Sequence, residues 1–172
     1  MSMFFQRLGR YNINMTKETP VSLALQKLNA PHRVFEHVNP IKSIEEAATE
    51  RGQDVTQLVR SILFRVGKDE FMMVMVAGPG QLSWPALRTH LGRSRMTMAT
   101  KDEVLNVTGY PIGTVAPIGM PQPIRLLADK NVFIHDEISF GSGKRNTAII
   151  MQTKAFKKVL GEVEIGEFLS KE

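Results

Sequence analysis

The sequence has no cysteine. Disulfide scaffolds, thiolate-held zinc, iron–sulfur clusters and thiol nucleophiles are therefore excluded, and a reducing, cytoplasmic setting is the expectation. Aromatic residues make up only 7% of the chain. No apolar run approaches the ~18–20 residues of a membrane span. The longest, Phe71-Met72-Met73-Val74-Met75-Val76-Ala77, is of strand length. Charge of neither sign dominates: 22 Lys and Arg against 17 Asp and Glu leave a net +5, without a dense basic run. That excess permits a phosphate-bearing partner without requiring one, and nothing marks DNA or a membrane as the partner. No Walker loop, Gly-x-Gly-x-x-Gly, His-Glu-x-x-His or Gly-x-Ser-x-Gly occurs. The four histidines (His32, His37, His90, His135) lack metal-ligand spacing, so neither a metal nor a cofactor is implied.

What is present is an ordinary globular composition, 42% hydrophobic and 23% charged over 172 residues. A chain of this size hides roughly 70% of its surface on folding, enough for one self-sufficient core. Residues 1–14, with Phe4, Phe5, Arg7 and Arg10, read as a loosely held extension resembling a transit peptide. They lack the apolar core and cleavage site of a secretory signal. Residues 15–172 read as the single domain.

Local signals set the expected elements. Thr19-Pro20 opens a helix carrying Val21, Ala24, Leu25 and Leu28 on one face. A short strand covers 33–37. Ser43 and Glu46 form a capping-box pair for a helix reaching about Arg51, and Thr100 and Glu103 form another for a helix to about Val107. Ser83 caps a helix ended near Gly92. Strands are expected at 58–66, 71–77, 95–99, 124–128, 132–134, 138–140 and 148–151. Thr153 is expected to cap a closing helix, with a short tail helix after Ile165. Residues 108–123 show no periodicity, which in a compact domain marks a functional or disordered loop. The pattern predicts a mixed α/β class: one domain with a curved, largely antiparallel mixed sheet flanked by helices.

Three features carry candidate chemistry. Arg60 shares an apolar strand face with Ile62, Phe64 and Val66. A guanidinium there needs a hydrogen-bonding or anionic partner, either a structural one or a ligand's phosphate or carboxylate. The run Gly113-Thr114-Val115-Ala116-Pro117-Ile118-Gly119 is either a surface loop or a stiffened turn whose N–H groups face an oxyanion. Gly141-Ser142-Gly143-Lys144-Arg145 is a hairpin turn whose two cations are either solvated or meet phosphates.

Taken in order, these pieces resemble the YbaK/prolyl-tRNA-synthetase-associated domain family, the trans-editing aminoacyl-tRNA deacylases, over about residues 19–169. The resembling stretches are Glu36-His37-Val38-Asn39-Pro40 before Glu45-Glu46-Ala47-Ala48; Leu58-Val59-Arg60-Ser61-Ile62-Leu63-Phe64; residues 108–119; and residues 141–145. The resemblance implies a pocket for the 3′ end of a charged tRNA and hydrolysis of the ester joining a wrong amino acid to it, with a tRNA(Pro)-related substrate. An aminoacyl-tRNA synthetase is an implied partner. By the same resemblance Arg60, Gly113 and Pro117 would be the catalytic set. His37, Ile62, Thr114, Val115, Ala116, Ile118, Gly119, Ser142, Gly143, Lys144 and Arg145 would bind the substrate. Two departures stand out: Arg60 replaces the family's strand lysine, and Thr147-Ala148 occupy the neighbourhood of an acidic residue. The alternatives are a non-catalytic member that binds tRNA ends or nucleotides, and a protein-interaction module built on residues 72–75.

Overall fold

The computed structural model describes residues 17–171, so the extension expected over 1–14 lies outside the described residues. The helices are α1 (Pro20–Lys27), α2 (Ile44–Arg51), α3 (Trp84–Leu91), α4 (Lys101–Thr108) and α5 (Thr153–Leu160). The strands are β1 (Arg33–Glu36), β2 (Val59–Gly67), β3 (Glu70–Ala77), β4 (Thr97–Met98), β5 (Arg125–Asp129), β6 (Glu137–Gly141), β7 (Thr147–Gln152) and β8 (Glu164–Gly166).

Helix starts follow local chemistry. Thr19 Oγ1 accepts from Ser22 N–H at 3.0 Å while Ser22 Oγ accepts from Thr19 N–H at 2.8 Å. Thr100 and Glu103 close the expected capping box, with bonds of 3.2 and 2.8 Å. At α2 the box is open. Ser43 caps Glu46 N–H at 3.1 Å, but the Glu46 carboxylate reaches past it to Lys42 N–H at 2.9 Å. Such caps are worth about 1 kcal/mol each.

The class is mixed α/β and the strand pairing is largely antiparallel, but the strands divide over two sheets. One has the order β1-β7-β6 and the other β4-β2-β3-β5-β8. Among the described strands only the pairs β3–β5 and β5–β8 are parallel. Strand β3 is central, and Met72, Met73, Val74, Met75 and Val76 are fully buried between two apolar layers. Met73 and Met75 face a core built with α1, α5 and the three-stranded sheet, including Leu25, Phe140, Ile149 and Phe156. Met72, Val74 and Val76 face a smaller core under α3 with Phe64, Leu87 and Phe168. Burying one such side chain contributes about 1.5–3 kcal/mol, and cutting Phe156 to alanine would cost roughly 3–5.

Several expected elements are corrected. Residues 132–134 lie not in a strand but in and just after the 3-10 turn Lys130–Phe133, because Asp129 caps Asn131 N–H at 2.9 Å. Thr153 is not the cap of α5; Gln152 holds that position, and the Thr153 hydroxyl donates to His135 O. The tail is strand β8 rather than a helix, paired to β5 through Ala128–Ile165. The strand expected over 95–99 shrinks to two residues pairing Phe64 and Arg65. Among the described residues no helix is long and apolar enough to cross a membrane.

Candidate functional site

A parallel bridge between Leu58 and Ser139 ties the two sheets at one point. Because β4 pairs with β2 only at Phe64 and Arg65, residues 59–61 of β2 border open space. A cleft of about 460 Å³ lies there, between β2, α2 and the end of β6. Its floor is apolar, with Ile44, Ala47, Leu58 and Phe140. Among the described residues its charges are all of one sign: Lys42, Arg51 and Arg60 line it, and no carboxylate does.

Arg60 lies opposite Val76 in the β2–β3 register, which puts it on the α3 side of the sheet. Its Nε donates to Gly78 O at 2.8 Å and its Nη2 to Gly80 O. The β3–α3 turn thus supplies neutral partners that hold the guanidinium in place without cancelling its charge. Burial disfavours the charged form and lowers its pKa from the usual value.

Arg51 is the cation the sequence pattern did not single out; helical spacing marks it only as the last residue before Gly52. Its Nη1 donates to Ser139 Oγ at 2.9 Å and its Nε to His37 Nε2 at 3.1 Å. Desolvation outweighs the pull of Glu50 and brings its pKa down to about 10, still charged at neutral pH.

The opposite rim is the run from Gly113. Residues 114–118 are buried although they form no helix or strand, so the aperiodic stretch is packed structure. The buried Tyr110 hydroxyl, its pKa raised to about 12 by desolvation, donates to Ile118 O at 2.6 Å. Thr114 N–H is committed to Pro111 O, and Gly143 N–H donates to Thr114 O at 2.8 Å. Among the described residues, the N–H groups of Gly113 and Val115 make no hydrogen bond. Both residues line the cleft. Gly141 makes the close packing possible: a Cβ there would overlap the Thr114 and Val115 carbonyl oxygens.

The structure therefore brings Arg60, Gly113 and Val115 to one cleft and distributes the other expected site residues elsewhere. Pro117 and Gly119 line a different cavity on the far side of the loop. Thr114, Ala116 and Ile118 are buried in the packed loop. Ile62 packs against the core under α3. His37 is buried and touches the cleft only through Arg51. Ser142 is buried in the β6–β7 turn, its carbonyl accepting from Val21 N–H at 3.1 Å. Lys144 and Arg145 are exposed on that turn and do not line the cleft. A residue the sequence pattern passed over is Ser61, whose Oγ is buried beside the cleft without a partner among the described residues. No group of three His, Asp or Glu side chains among the described residues is placed to hold a metal.

Fold and cleft together define a small α/β domain that offers concentrated positive charge beside a backbone-lined loop. A family model for the aminoacyl-tRNA editing domain matches residues 38–159. The chain belongs to that family. It is 30% identical over 114 residues to a proline–tRNA ligase of Thermosipho melanesiensis, covering 66% of this chain and 20% of the ligase. Its identity to the proline–tRNA ligase of Citrifermentans bemidjiense is 34%, over 69% of this chain and 21% of the ligase. The chain thus spans about one fifth of the length of these relatives. In structure it resembles a solved chain described as a candidate trans-editing enzyme for prolyl-tRNA synthetase, with a TM-score of 0.80 at 24% identity, covering 88% of this chain and 96% of that one. At that identity the likeness concerns the fold.

Proposed function

We propose that this chain is a trans-acting deacylase: it hydrolyses the ester between a wrongly attached amino acid and the 3′-terminal ribose of a tRNA, with a tRNA(Pro)-related substrate. One observation carries the reading. Among the described residues, a cleft lined by three cations and no carboxylate abuts the unbonded N–H groups of Gly113 and Val115. Membership in the editing family and the relation to proline–tRNA ligases support it.

The chemistry suits such a site. An aminoacyl ester is already activated, so hydrolysis requires a positioned water and stabilisation of the developing oxyanion, not a strong nucleophile. In this reading Arg60 and Arg51 hold phosphate at the 3′ end, and the Gly113 and Val115 amides face the ester carbonyl. The apolar floor receives the amino acid side chain, where one methylene discriminates by only ~1–3 kcal/mol. The synthetase is the implied partner that produces the mischarged tRNA.

The test is a panel of mischarged tRNAs offered to the unmodified protein. Release of the amino acid from a subset of them is the expected result. Binding without turnover across the whole panel would instead select the non-catalytic reading, which the commitment of Arg60 donors to Gly78 and Gly80 favours.

A further inference from the structure

His37 is a buried titratable group that the deacylation reading leaves without a task. It follows β1, with its backbone N–H donating to Asn146 O at 2.8 Å and its ring edge-on to Phe35 at 4.9 Å. Its two ring nitrogens meet opposite kinds of partner. Nδ1 lies 2.7 Å from Glu50 Oε2, and Nε2 lies 3.1 Å from Arg51 Nε.

That pair of contacts fixes the state of the ring. An arginine Nε–H only donates, so Nε2 must present its lone pair; the Glu50 carboxylate only accepts, so Nδ1 must carry the proton. An imidazolium would set its Nε2–H against the Arg51 Nε–H. Glu50, His37 and Arg51 therefore form a directed chain of hydrogen bonds, which continues from Arg51 Nη1 to Ser139 Oγ on β6. Two N–H donors of the guanidinium are spent on protein partners. The others remain for the cleft, whose wall Arg51 forms.

We propose that His37 is a positioning residue: neutral, and protonated at Nδ1 by its bond to Glu50, it locks the Arg51 guanidinium at the cleft wall as a second phosphate-binding group beside Arg60. The cleft's role in binding the charged tRNA end rests on the reading above; the state of His37 does not. The geometry also accounts for the recruitment of a residue at a helix terminus. Arg51 sits one residue before Gly52, where α2 ends, and its long side chain needs fixing from β1 and β6 to lose its rotamer freedom before ligand arrives.

Two measurements test this. Long-range proton–nitrogen NMR of the unmodified, ligand-free protein at neutral pH is expected to show His37 neutral with its proton on Nδ1. A proton on Nε2, or an imidazolium, overturns the proposal whatever the protein's activity. The second measurement is binding of an uncharged RNA acceptor minihelix ending in CCA. His37→Ala and Arg51→Gln should each weaken it about tenfold, as loss of one charge-assisted bond does. The double variant should bind no worse than Arg51→Gln, and His37→Gln, which keeps an acceptor near the Nε2 position, should recover most of the loss. Additive losses, or full affinity in a folded His37→Ala, overturn the proposal. Should the minihelix fail to bind the unmodified protein while His37 shows the Nδ1 proton, the deacylase reading falls and the hydrogen-bond chain stands. The NMR measurement needs no variant, so it decides even where His37→Ala does not fold.

Discussion

Two cavities flank the residue 113–119 loop, and they differ in how their charges are balanced. The larger, of about 820 Å³, lies between Pro117, Gly119, the end of α5 and β8. Its charges are of both signs, and Arg125 and Glu164 satisfy each other: Arg125 Nη2 meets Glu164 Oε1 at 2.7 Å, and Glu164 also meets His90 at 3.1 Å. The smaller cleft holds Lys42, Arg51 and Arg60 with no carboxylate among the described residues of its lining. Volume alone would choose the other side of the loop from the cleft proposed above. A paired charge has spent its field on a neighbour, whereas like charges that share a cleft, with Glu50 acting on Arg51 from behind the lining, leave a net positive potential for a ligand.

The sharpest way to break this contrast is at the joint between loop and cleft. Gly141→Ala places a methyl group against the Thr114 and Val115 carbonyls, which forces the rim to move. A loss of about 2–3 kcal/mol in unfolding free energy is expected, of the size overpacking produces. Deacylation should fall about a hundredfold or more; chemical denaturation alongside single-turnover kinetics checks both. Unchanged kinetics would show that the loop rim plays no part in the reaction.

Arg60→Ala comes next. It removes a fixed cation from the charged cleft and should lower kcat/KM on the mischarged tRNA by about 30- to 100-fold, the range of lost charge-assisted hydrogen bonds. Unchanged deacylation removes Arg60 from the mechanism. Arg60→Lys keeps the charge but loses the fork that meets Gly78 and Gly80. A gain in turnover there would mean that the guanidinium had replaced a better catalyst.

Salt probes the same asymmetry more gently. If two or three phosphates meet the cleft cations, minihelix affinity should drop roughly 7- to 40-fold between 50 and 200 mM salt. A flat dependence would point to an apolar contact.

The smallest effect belongs to the larger cavity. Hydrogen bonding to Arg125 holds the Glu164 carboxyl at about 2, below its usual 4.5. A depressed carboxyl pKa contributes stability that is complete above about 4.5 and is lost as the pH falls toward 2. Glu164 is 40% exposed, so screening trims that contribution to under about 1 kcal/mol. Glu164→Gln should therefore lower stability slightly at pH 7, flatten the acid limb of an unfolding-versus-pH curve, and leave deacylation unchanged. A change in turnover would move function to the larger cavity.

How far the sequence reached can be judged from particular residues. Thr19, Ser43 and Thr100 announce their helices because a cap acts within three residues of itself. Residues 71–77 announce a central strand because both faces need apolar cover. The tail misled because β8 exists through its pairing with β5, some 37 residues earlier in the register of Ala128 and Ile165. Residues 132–134 misled because an Asp129 side chain, not β propensity, sets the local turn.

The site divides the same way. An isolated guanidinium on an apolar strand face and a glycine-bounded loop were visible at Arg60 and Gly113, since each is a conflict between residue type and local environment. Their meeting in one cleft, and the exclusion of Pro117, Lys144 and Arg145 from it, followed only from how two sheets join at Leu58 and Ser139. Arg51 belongs wholly to the tertiary structure: its partner Ser139 lies 88 positions away in the chain. Chain-local chemistry chose the helices, the apolar strands and the membership of the family. Three-dimensional packing decided which charges stand together, because the energy of a charge depends on its distance to others in space and not along the backbone.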